Sequence, residues 1–317
     1  MLTHYFPTAS ALVYGCMGLG GGWNKNPLSD DDVKQAETVV HAAIENGITV
    51  FDHADIYTFS KAEKAFGKVL RQQPSLRDNM ILQSKCAIRL DDELGPKRYD
   101  FSAQWITCSV DNILRRLAIE QLDILLLHRP DPLMELNEVA GAVEKLQKAG
   151  KITHLGVSNM HGHQIAFLQS ALDTPIVTNQ LEMSLAFRDW LEDGITTNSA
   201  ANRNMGYAPG TLEYCMQNKV QLQAWGSLAQ GKYSGGHTEC EADVIAAELV
   251  ASLAEKYGVS AEAIVLGWLM RHPANIQPVI GTTNVQRIAQ CAEATTVTLS
   301  REDWYALLVA ARGNEIP

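Results

Sequence analysis

Residues 48–57 read Ile-Thr-Val-Phe-Asp-His-Ala-Asp-Ile-Tyr and contain the segment that indicates the fold. The β-branched and aromatic residues 48–51 follow the helix-stopping pair Asn46-Gly47 and predict a short buried parallel strand. That strand ends on Asp52, an ionisable group that needs a partner in such a place. Tyr57 follows on a loop that leaves the same end of the strand. We therefore expect the carboxylate and the phenol to face one pocket.

Length and composition limit the classes of protein to which the chain can belong. Its 317 residues, 46% of them hydrophobic, can bury the core of one barrel-sized domain or of two smaller ones. The formal net charge of −10 argues against nucleic acid as a partner, because phosphate binding needs clustered lysine and arginine. It leaves room for a local basic pocket that binds one phosphorylated cofactor. No signal peptide and no apolar run of about eighteen residues is present, so we expect a soluble cytoplasmic protein without a membrane partner.

Neither the cysteines nor the histidines have the spacing of a metal site. The 6 cysteines are scattered without a Cys-x-x-Cys pair, which predicts reduced thiols rather than disulfides or a zinc site. His161 and His163 flank Gly162 and invite a metal interpretation, but no third ligand is spaced to join them. A turn is the better interpretation of that segment, and no bound metal is expected.

Eight short apolar runs recur along the chain, each followed by a helical pattern. This repeat predicts an α/β fold, a (β/α)8 TIM barrel that forms a single domain over residues 1–317, with long βα loops at its C-terminal face. A doubly wound open sheet would need fewer repeats and a Gly-x-Gly-x-x-Gly turn, which is absent. The glycine cluster at 15–22 has the wrong spacing for that turn and predicts a flexible βα loop. The predicted strands are 11–15, 48–52, 80–84, 123–127, 153–157, 176–180, 220–225 and 277–281.

Capping residues predict where several helices begin and end. Ser29, with Asp32 three residues later, opens a helix that Asn46-Gly47 stops. The other predicted helices are 105–117, opened by Asp100 or Ser102, 133–149, 241–257 and 301–311, the last of which packs outside the barrel or over its mouth.

Two βα connections are long enough to carry function. Residues 182–209 follow the sixth predicted strand and residues 226–239 follow the seventh, so both are expected at the C-terminal face, where barrel active sites are built. The asparagine-rich part of the first connection, residues 196–204, is equally compatible with a disordered surface insert.

Four polar residues converge if the second, third and fourth strands are neighbours in a barrel. Asp52, Lys85 and His128 each stand at the end of one of these strands, and Tyr57 is the fourth. Singly, each has a structural explanation, such as a helix cap, a solvated charge or a core histidine. Together they make a chemical unit, because an ammonium near a phenol favours the phenolate and a carboxylate keeps that ammonium charged. The arrangement predicts that Tyr57 gives a proton at neutral pH.

These four residues match, one by one, the catalytic tetrad of the aldo-keto reductases, which the sequence resembles over nearly its whole length. The matching motifs are Phe-Asp-His-Ala-Asp-Ile-Tyr at 51–57, Gln-Ser-Lys-Cys at 83–86 and Leu-Leu-His-Arg-Pro at 126–130. The resemblance implies an NADPH-dependent oxidoreductase that reduces the carbonyl group of a small aldehyde or ketone. The subgroup it resembles most is the bacterial YdhF-like reductases, although the loop at 190–207 is longer here.

The resemblance also implies where the cofactor binds. Ser158, Asn159 and Gln180 match residues that hydrogen-bond the nicotinamide carboxamide, and Trp225 matches an aromatic ring that stacks on the nicotinamide. Arg287 would hold the 2′-phosphate, a task that suits a guanidinium. Each of these residues also has a structural explanation, as a turn, a core aromatic or a solvated helix charge. Their order and spacing behind the tetrad favour the cofactor.

The remaining implied contacts complete the site. NADPH is expected in preference to NADH, although Gly281 stands where many members have lysine and Gln290-Cys291 replace the common Glu-Asn. The other implied cofactor contacts are Cys16, Met17, Asp52, Gly226, Ser227, Leu228, Gly231, Lys232, Gly281, Thr282, Thr283 and Gln290. The implied substrate wall contains Trp23, Phe59, Arg129 and the loop at 190–207.

Two other functions are compatible with parts of this pattern. A cofactor-sensing regulatory subunit, like the potassium-channel β subunits, would share the barrel and bind NADPH. A Schiff-base aldolase would use Lys85 as a nucleophile on a similar barrel. An intact tetrad disfavours the first, and pairing of Lys85 with Asp52 disfavours the second. The substrate and the oligomeric state are left open.

Overall fold

A barrel of parallel strands forms the centre of the protein, whose computed structural model describes residues 2–199 and 206–317. The strands in these residues are Val13–Gly15 (β1), Val50–Asp52 (β2), Ile81–Cys86 (β3), Ile88–Arg89 (β4), Arg98–Tyr99 (β5), Leu122–Leu127 (β6), Ile152–Ser158 (β7), Ile176–Glu182 (β8), Gln221–Trp225 (β9) and Gln277–Ile280 (β10). Eight of them close into a barrel in the order β1-β10-β9-β8-β7-β6-β3-β2, and β4 pairs with β5 in a separate hairpin. Each predicted strand overlaps one barrel strand, so the predicted (β/α)8 barrel is confirmed.

Helices surround the barrel. Those in the described residues are Asp30–Glu45 (α1), Lys61–Gln72 (α2), Ala103–Leu117 (α3), Leu136–Lys148 (α4), Gly162–Gln169 (α5), Asp189–Ile195 (α6), Thr211–Gln217 (α7), Glu241–Tyr257 (α8), Ala261–Met270 (α9), Val285–Ala292 (α10) and Arg301–Arg312 (α11). Neighbours in the chain pack together, α1 against α2, α2 against α3 and α3 against α4. The last helix packs against α8.

The caps explain most of the helix boundaries. Ser29 and Asp32 form the predicted capping box at the start of α1. Ser102, the second of the two predicted candidates, caps α3. Helix α4 begins three residues later than predicted, because Asp131 accepts hydrogen bonds from the backbone of Leu133 and Met134 and holds them in a turn.

The apolar interior of the barrel lies toward its N-terminal end. It is filled by Leu2, Val13, Val50, Ile81, Ile124, Leu126 and Val177. Two residues further along β2 and β3, the buried positions are the polar Asp52 and Gln83. The barrel therefore changes from apolar to polar toward its C-terminal end, where barrel active sites lie.

The glycine cluster at 15–22 is held by close packing against α2. A Cβ at Gly20, where φ is +76°, would lie 2.5 Å from the backbone carbonyl carbon of Lys61. Thr58 Oγ1 donates a hydrogen bond to the Leu19 carbonyl over 3.0 Å, and Lys61 Nζ donates one to Asn24 Oδ1 over 3.1 Å. Close approach of two backbones explains this glycine better than the predicted flexibility does.

Several smaller expectations concern features outside the barrel strands. All six cysteines are free thiols. His161 caps α5 together with Gln164, and Gly162 and His163 are the first residues of that helix, so the segment begins a helix rather than forming the predicted turn. Within the described ranges no group of His, Cys, Asp or Glu could hold a metal ion, and no helix is long and apolar enough to cross a membrane. Helix α6 lies in the long connection at 182–209. Residues 200–204 of the asparagine-rich part of that connection fall outside the described residues, so the prediction of a disordered insert is not tested.

Candidate active site

The side chains of Asp52 and Lys85 form a buried ion pair near the C-terminal end of the barrel. Asp52 is the last residue of β2, and Lys85 lies one residue before the end of the neighbouring β3. Lys85 Nζ is 2.7 Å from Oδ1 and 2.6 Å from Oδ2 of Asp52, and both side chains are buried. Burial lowers the pKa of the ammonium, but the influence of the Asp52 carboxylate and of Tyr57 outweighs it and leaves the pKa of Lys85 raised. Lys85 is therefore a cation.

Tyr57 connects this ion pair to the cavity beside it. Lys85 Nζ donates a hydrogen bond to Tyr57 Oη over 3.0 Å, and the ammonium lies 5.0 Å from the centre of the ring. Burial raises the pKa of Tyr57, and the opposite influence of Lys85 offsets it only in part. Lysine acts in the direction expected from the sequence, but the net shift is upward. The phenol is therefore protonated at neutral pH, the state in which it has a proton to give.

His128 follows β6 and faces Tyr57 edge-on, with the ring centres 6.1 Å apart. Its pKa is lowered to about 2, first by burial and then by the positive charges of Lys85, Arg129 and Lys97. Its Nδ1 atom is buried without a hydrogen-bond partner among the described residues. The imidazole is therefore neutral and has one N–H donor to offer.

A cavity of about 670 Å³ opens beside these residues at the C-terminal end of the barrel. Most of the residues that the sequence assigned to the site line it, and the structure thus brings them together. They are Met17, Trp23, Asp52, Tyr57, His128, Arg129, Ser158, Asn159, Gln180, Trp225, Gly226, Ser227, Leu228, Gly231, Gly281, Thr282 and Arg287. Ala229 and Gln230, in the segment 226–232 that resembles the family's pyrophosphate-covering loop, also line it. The wall further contains residues that sequence reasoning did not assign, namely Gly15, Ile56, Val279 and Ile280.

Some of the assigned residues do not line this cavity. Cys16 is completely buried in the core. Phe59 packs edge-on against Trp23, with the ring centres 5.8 Å apart, and so supports the wall from behind. Lys85 reaches the cavity only through Tyr57. Lys232, Thr283 and Gln290 also lie off the wall, and the ligand contacts assigned to all of these residues stay predictions.

Hydrogen bonds join the residues assigned to the nicotinamide end of the cofactor. Asn159, in the left-handed region at φ +58°, donates from Nδ2 to Ser158 Oγ over 2.8 Å and to the His128 carbonyl over 3.1 Å. Its Oδ1 accepts a hydrogen bond from Trp225 Nε1 over 3.1 Å. Ser158 Oγ in turn donates to the Gln180 carbonyl over 2.9 Å. These contacts fix one edge of the cavity before any ligand binds.

Two cations near the other end of the cavity differ in their position. Arg287 lines the wall, and its guanidinium is 3.1 Å from Glu262 Oε1 while its side chain is 39% exposed. Lys232 lies off the wall, where its Nζ is 3.0 Å from Glu239 and 3.1 Å from Asp243. Arg287 is therefore the better placed of the two to meet an anion in the cavity.

Sequence reasoning missed the amide that holds the tetrad aspartate. Gln83 Nε2 donates to Asp52 Oδ1 over 2.6 Å, and Gln180 Nε2 donates to the same atom over 3.1 Å. The available signal was a glutamine that follows the apolar run Met80-Ile81-Leu82 in a predicted strand, and the structure places it opposite Asp52.

A second buried cluster, which the proposed chemistry does not use, lies behind the tetrad around Asp55. Its Oδ1 atom is buried without a hydrogen-bond partner in the described part of the chain. Its pKa is raised to about 8, first by burial and then by Glu63, while Arg116 acts in the opposite direction. Burial also raises the pKa of Glu63, which accepts a hydrogen bond from Ser84 over 2.6 Å. Folding therefore favours the protonated form of Asp55.

This cluster predicts a pH-dependent stability. The unfolded carboxyl releases its proton near pH 4, whereas the folded one keeps it to about pH 8, so stability falls as the pH rises between these values. Asp55→Asn, which is neutral throughout, should remove that fall and gain about 1–3 kcal/mol at pH 8. Urea unfolding at pH 5, 6.5 and 8 measures it, with the exposed Asp31→Asn as the control. An unchanged pH dependence in Asp55→Asn would show that Asp55 is ionised in the folded protein.

The sequence pattern of the family described as the aldo/keto reductase family matches residues 11–309 of the chain. The chain belongs to the aldo/keto reductase family. Membership makes this aldo-keto reductase an oxidoreductase, as the sequence predicted. It is 34% identical over 316 residues to 6-dehydroglucose reductase of Agrobacterium fabrum, covering 97% of this chain and 96% of that one. It is also 34% identical over 292 residues to oxidoreductase YdhF of Escherichia coli K12, covering 90% of each, so the resemblance is confirmed.

Solved structures of aldo-keto reductases have the same fold. The thermostable enzyme Tm1743, in complex with the inhibitor epalrestat, superposes with a TM-score of 0.76 at 24% identity over 95% of each chain. An aldo/keto reductase of Klebsiella pneumoniae, in complex with NADP and acetate, superposes with a TM-score of 0.71 at 24% identity over 97% of this chain and 93% of that one.

Proposed function

We propose that this aldo-keto reductase reduces the carbonyl group of an aldehyde or ketone to an alcohol, with NADPH as the hydride source and Tyr57 as the general acid. The observation that supports the proposal most is the hydrogen bond between Lys85 and Tyr57, in which the phenol oxygen accepts. The phenol hydrogen is then left for an acceptor in the cavity that Tyr57 lines. A donor fixed in this way is what protonation of a reduced carbonyl oxygen needs.

The cavity wall carries groups that fit a nicotinamide dinucleotide phosphate. Ser158, Asn159 and Gln180 would hold the carboxamide, and Gln180 would do so through its oxygen, because its nitrogen already donates to two protein acceptors. The ring of Trp225 would stack on the nicotinamide, and Arg287 would pair with the phosphate. When bound, NADPH supplies the hydride. The Klebsiella pneumoniae relative was solved with NADP, which is in line with this choice.

The protein side of the reaction is a proton transfer to the carbonyl oxygen. Tyr57 is protonated at neutral pH and donates its hydrogen to that oxygen. Neutral His128, whose ring faces Tyr57, offers its N–H to the same oxygen and so orients the substrate. The Lys85 ammonium stabilises the tyrosinate that remains.

The substrate wall combines an aromatic ring with a cation that forms no direct ion pair among the described residues, although its charge opposes the effect of burial, which raises the pKa of Glu182. Trp23 is 49% exposed and lines the cavity. Arg129 lines it next to His128 and forms no hydrogen bond or ion pair with the described residues. Carbonyl compounds with polar or anionic groups fit such a wall. The name of the Agrobacterium fabrum relative, 6-dehydroglucose reductase, makes sugar-derived aldehydes one class to test.

The experiment is a screen of NADPH oxidation against aldehydes, ketones, quinones and sugar-derived aldehydes, with NADH in parallel. We expect turnover with at least one aldehyde class and a preference for NADPH. Slow turnover with every carbonyl, together with tightly retained cofactor, would instead support the cofactor-sensing function of a potassium-channel β-like subunit.

The aldolase alternative is opposed by the ion pair, because a Schiff base needs a neutral amine and Lys85 is a cation. We also propose that the chain acts as one barrel domain in the cytoplasm.

Arg287→Ala should weaken NADPH binding far more than NADH binding, since only NADPH carries the 2′-phosphate. Loss of a charge-assisted contact of about 1.5–3 kcal/mol corresponds to roughly ten- to a hundredfold in affinity. Fluorescence titration with both cofactors measures it, and Lys148→Ala, which removes an exposed cation that does not line the cavity, is the matched control. Equal weakening of both cofactors would make Arg287 a structural residue.

A further inference from the structure

A layer of glutamine side chains crosses the inside of the barrel next to Asp52. Gln83 lies opposite Asp52 on the neighbouring strand. On the other side, Gln223 lies opposite Gln180 on one neighbour and Gln277 on the other. Strands β3 and β9 are four positions apart in the closed barrel of eight, so a contact between Gln83 and Gln223 spans the interior.

Hydrogen bonds connect these amides into a chain that ends on the carboxylate. Gln277 Nε2 donates to the Ser10 carbonyl over 2.7 Å, at the N-terminal end of the barrel. Gln223 Nε2 donates to Gln277 Oε1 over 3.3 Å and to Gln83 Oε1 over 3.0 Å. Gln83 Nε2 donates back to Gln223 Oε1 over 2.8 Å and to Asp52 Oδ1 over 2.6 Å. The chain therefore ties the tetrad aspartate to a backbone carbonyl across the barrel.

The carboxylate sets the orientation of the chain. An ionised carboxylate only accepts hydrogen bonds, so the amide nitrogen of Gln83 must face Asp52 and its oxygen must face away. Gln223 then has to supply a donor to that oxygen, which it does. Buried amides are costly unless they are satisfied, and TIM-barrel interiors are usually filled by branched aliphatic residues. A satisfied polar layer at this position indicates a role in holding Asp52.

We propose that Gln83 is a positioning residue, which fixes Asp52 so that the carboxylate holds the Lys85 ammonium against Tyr57. The proposal rests on the proposed function for the acid–base role of Tyr57. Without the Gln83 donor, Asp52 keeps Lys85 and Gln180 as partners. It loses its shorter amide hydrogen bond, since Gln83 Nε2 is 2.6 Å from Asp52 Oδ1 and Gln180 Nε2 is 3.1 Å from it. The ammonium is then held less firmly beside the phenol, and its lowering influence on the pKa of Tyr57 weakens.

Three glutamine variants separate positioning from general stability. Gln83→Met removes the donor to Asp52 at similar side-chain length. Gln223→Met keeps that donor but removes the amide that orients Gln83, together with the acceptor for Gln180 and the donor to Gln277. Gln221→Met is the matched control, because Gln221 is on the same strand as Gln223 and is buried. Among the residues that the structure describes, its side chain bonds only the backbone groups of Leu2, Leu222 and Asn275.

The first readout is the pH profile of alcohol oxidation, in which Tyr57 acts as the base. We expect the basic limb to move up by about 1 pH unit in Gln83→Met and the rate of carbonyl reduction to fall roughly tenfold. Gln223→Met should shift the limb less, in the same direction, and remains informative if Gln83→Met does not fold. Gln221→Met should keep the wild-type profile. A wild-type profile in both Gln83→Met and Gln223→Met, or an equal shift in Gln221→Met, overturns the proposal.

The second readout does not depend on turnover, so it tests the positioning role even if the proposed reductase function is wrong. In protein labelled with 15N-lysine, the Lys85 ammonium signal is identified by its loss in Lys85→Met. This signal should shift in Gln83→Met and Gln223→Met and stay in place in Gln221→Met. An inactive wild type with the expected shifts would overturn the reductase assignment and keep the positioning role. An unmoved signal in both amide variants would overturn the positioning role.

Discussion

Tyr57→Phe is expected to lose carbonyl reduction by about a hundredfold to ten-thousandfold, the contribution typical of a general acid, while NADPH binding is retained. The ring and its packing survive the substitution, and only the hydroxyl that accepts from Lys85 and faces the cavity is removed. The loss should appear in kcat as well as in kcat/KM, because the proton is transferred only in the reaction step.

The measurement pairs steady-state reduction with NADPH fluorescence titration on the same preparation. Tyr99→Phe, in the hairpin strand β5, removes the hydroxyl of an exposed tyrosine that does not line the cavity and serves as the control. Turnover like that of the wild type in Tyr57→Phe would remove Tyr57 from the mechanism. Equal loss of cofactor binding and turnover would mean that the hydroxyl supports the site rather than the reaction.

The barrel and the tetrad could be predicted from the sequence because both depend on local signals that repeat. Each apolar run with a following helical pattern marks one βα unit, and parallel strands place their C-terminal ends together. Asp52, Lys85 and His128 therefore had to converge once their strands were neighbours, as they are in the order β2, β3 and β6. The capping pair Ser29 and Asp32 is equally local, and so α1 was also predictable.

The glutamine layer could not be predicted in the same way, because it depends on contacts across the barrel. Gln83 and Gln223 are separated by 140 residues, and their pairing follows from strand order and register rather than from a motif. The sign of the pKa shift at Tyr57 was equally hidden. A neighbouring ammonium can be inferred from sequence, but the degree of burial that outweighs it is a property of the packed structure.

Lys85→Met is expected to move the basic limb of alcohol oxidation to higher pH, by more than any other single substitution in the tetrad. Its ammonium is the nearest group that lowers the pKa of Tyr57, and burial and Asp52 both raise that pKa. With the ammonium gone, only the raising influences remain. Tyr57 then becomes a base only at higher pH.

Asp52→Asn tests the same ion pair by removing the carboxylate. The direction in which it moves the basic limb shows which of two opposing effects is larger. Asp52 directly raises the pKa of Tyr57, so removing its charge alone would move the limb to lower pH. However, Asp52 is also the main group that keeps the completely buried Lys85 charged against the cost of burial. We expect the second effect to win, because a buried ammonium without its carboxylate gives up its proton. The limb should therefore move to higher pH in Asp52→Asn as well.

The double mutant decides whether Asp52 and Lys85 act as a unit. If Asp52 works only through the charge of Lys85, the double mutant should be little worse than Lys85→Met alone, as for other groups that function together. The experiment is the pH profile of alcohol oxidation for the wild type, both single mutants and the double mutant, with the 15N-lysine signal of Lys85 recorded in Asp52→Asn. Strictly additive losses, or an unmoved basic limb in Lys85→Met, would show that the ion pair does not tune Tyr57.

A basic limb that moves to lower pH in Asp52→Asn, with the ammonium signal retained, would show that Lys85 holds its proton without the carboxylate. The other acceptors of Lys85 Nζ would then be the groups that keep the lysine charged. These are the Tyr57 hydroxyl and the His53 carbonyl, which accept hydrogen bonds from Nζ over 3.0 Å each.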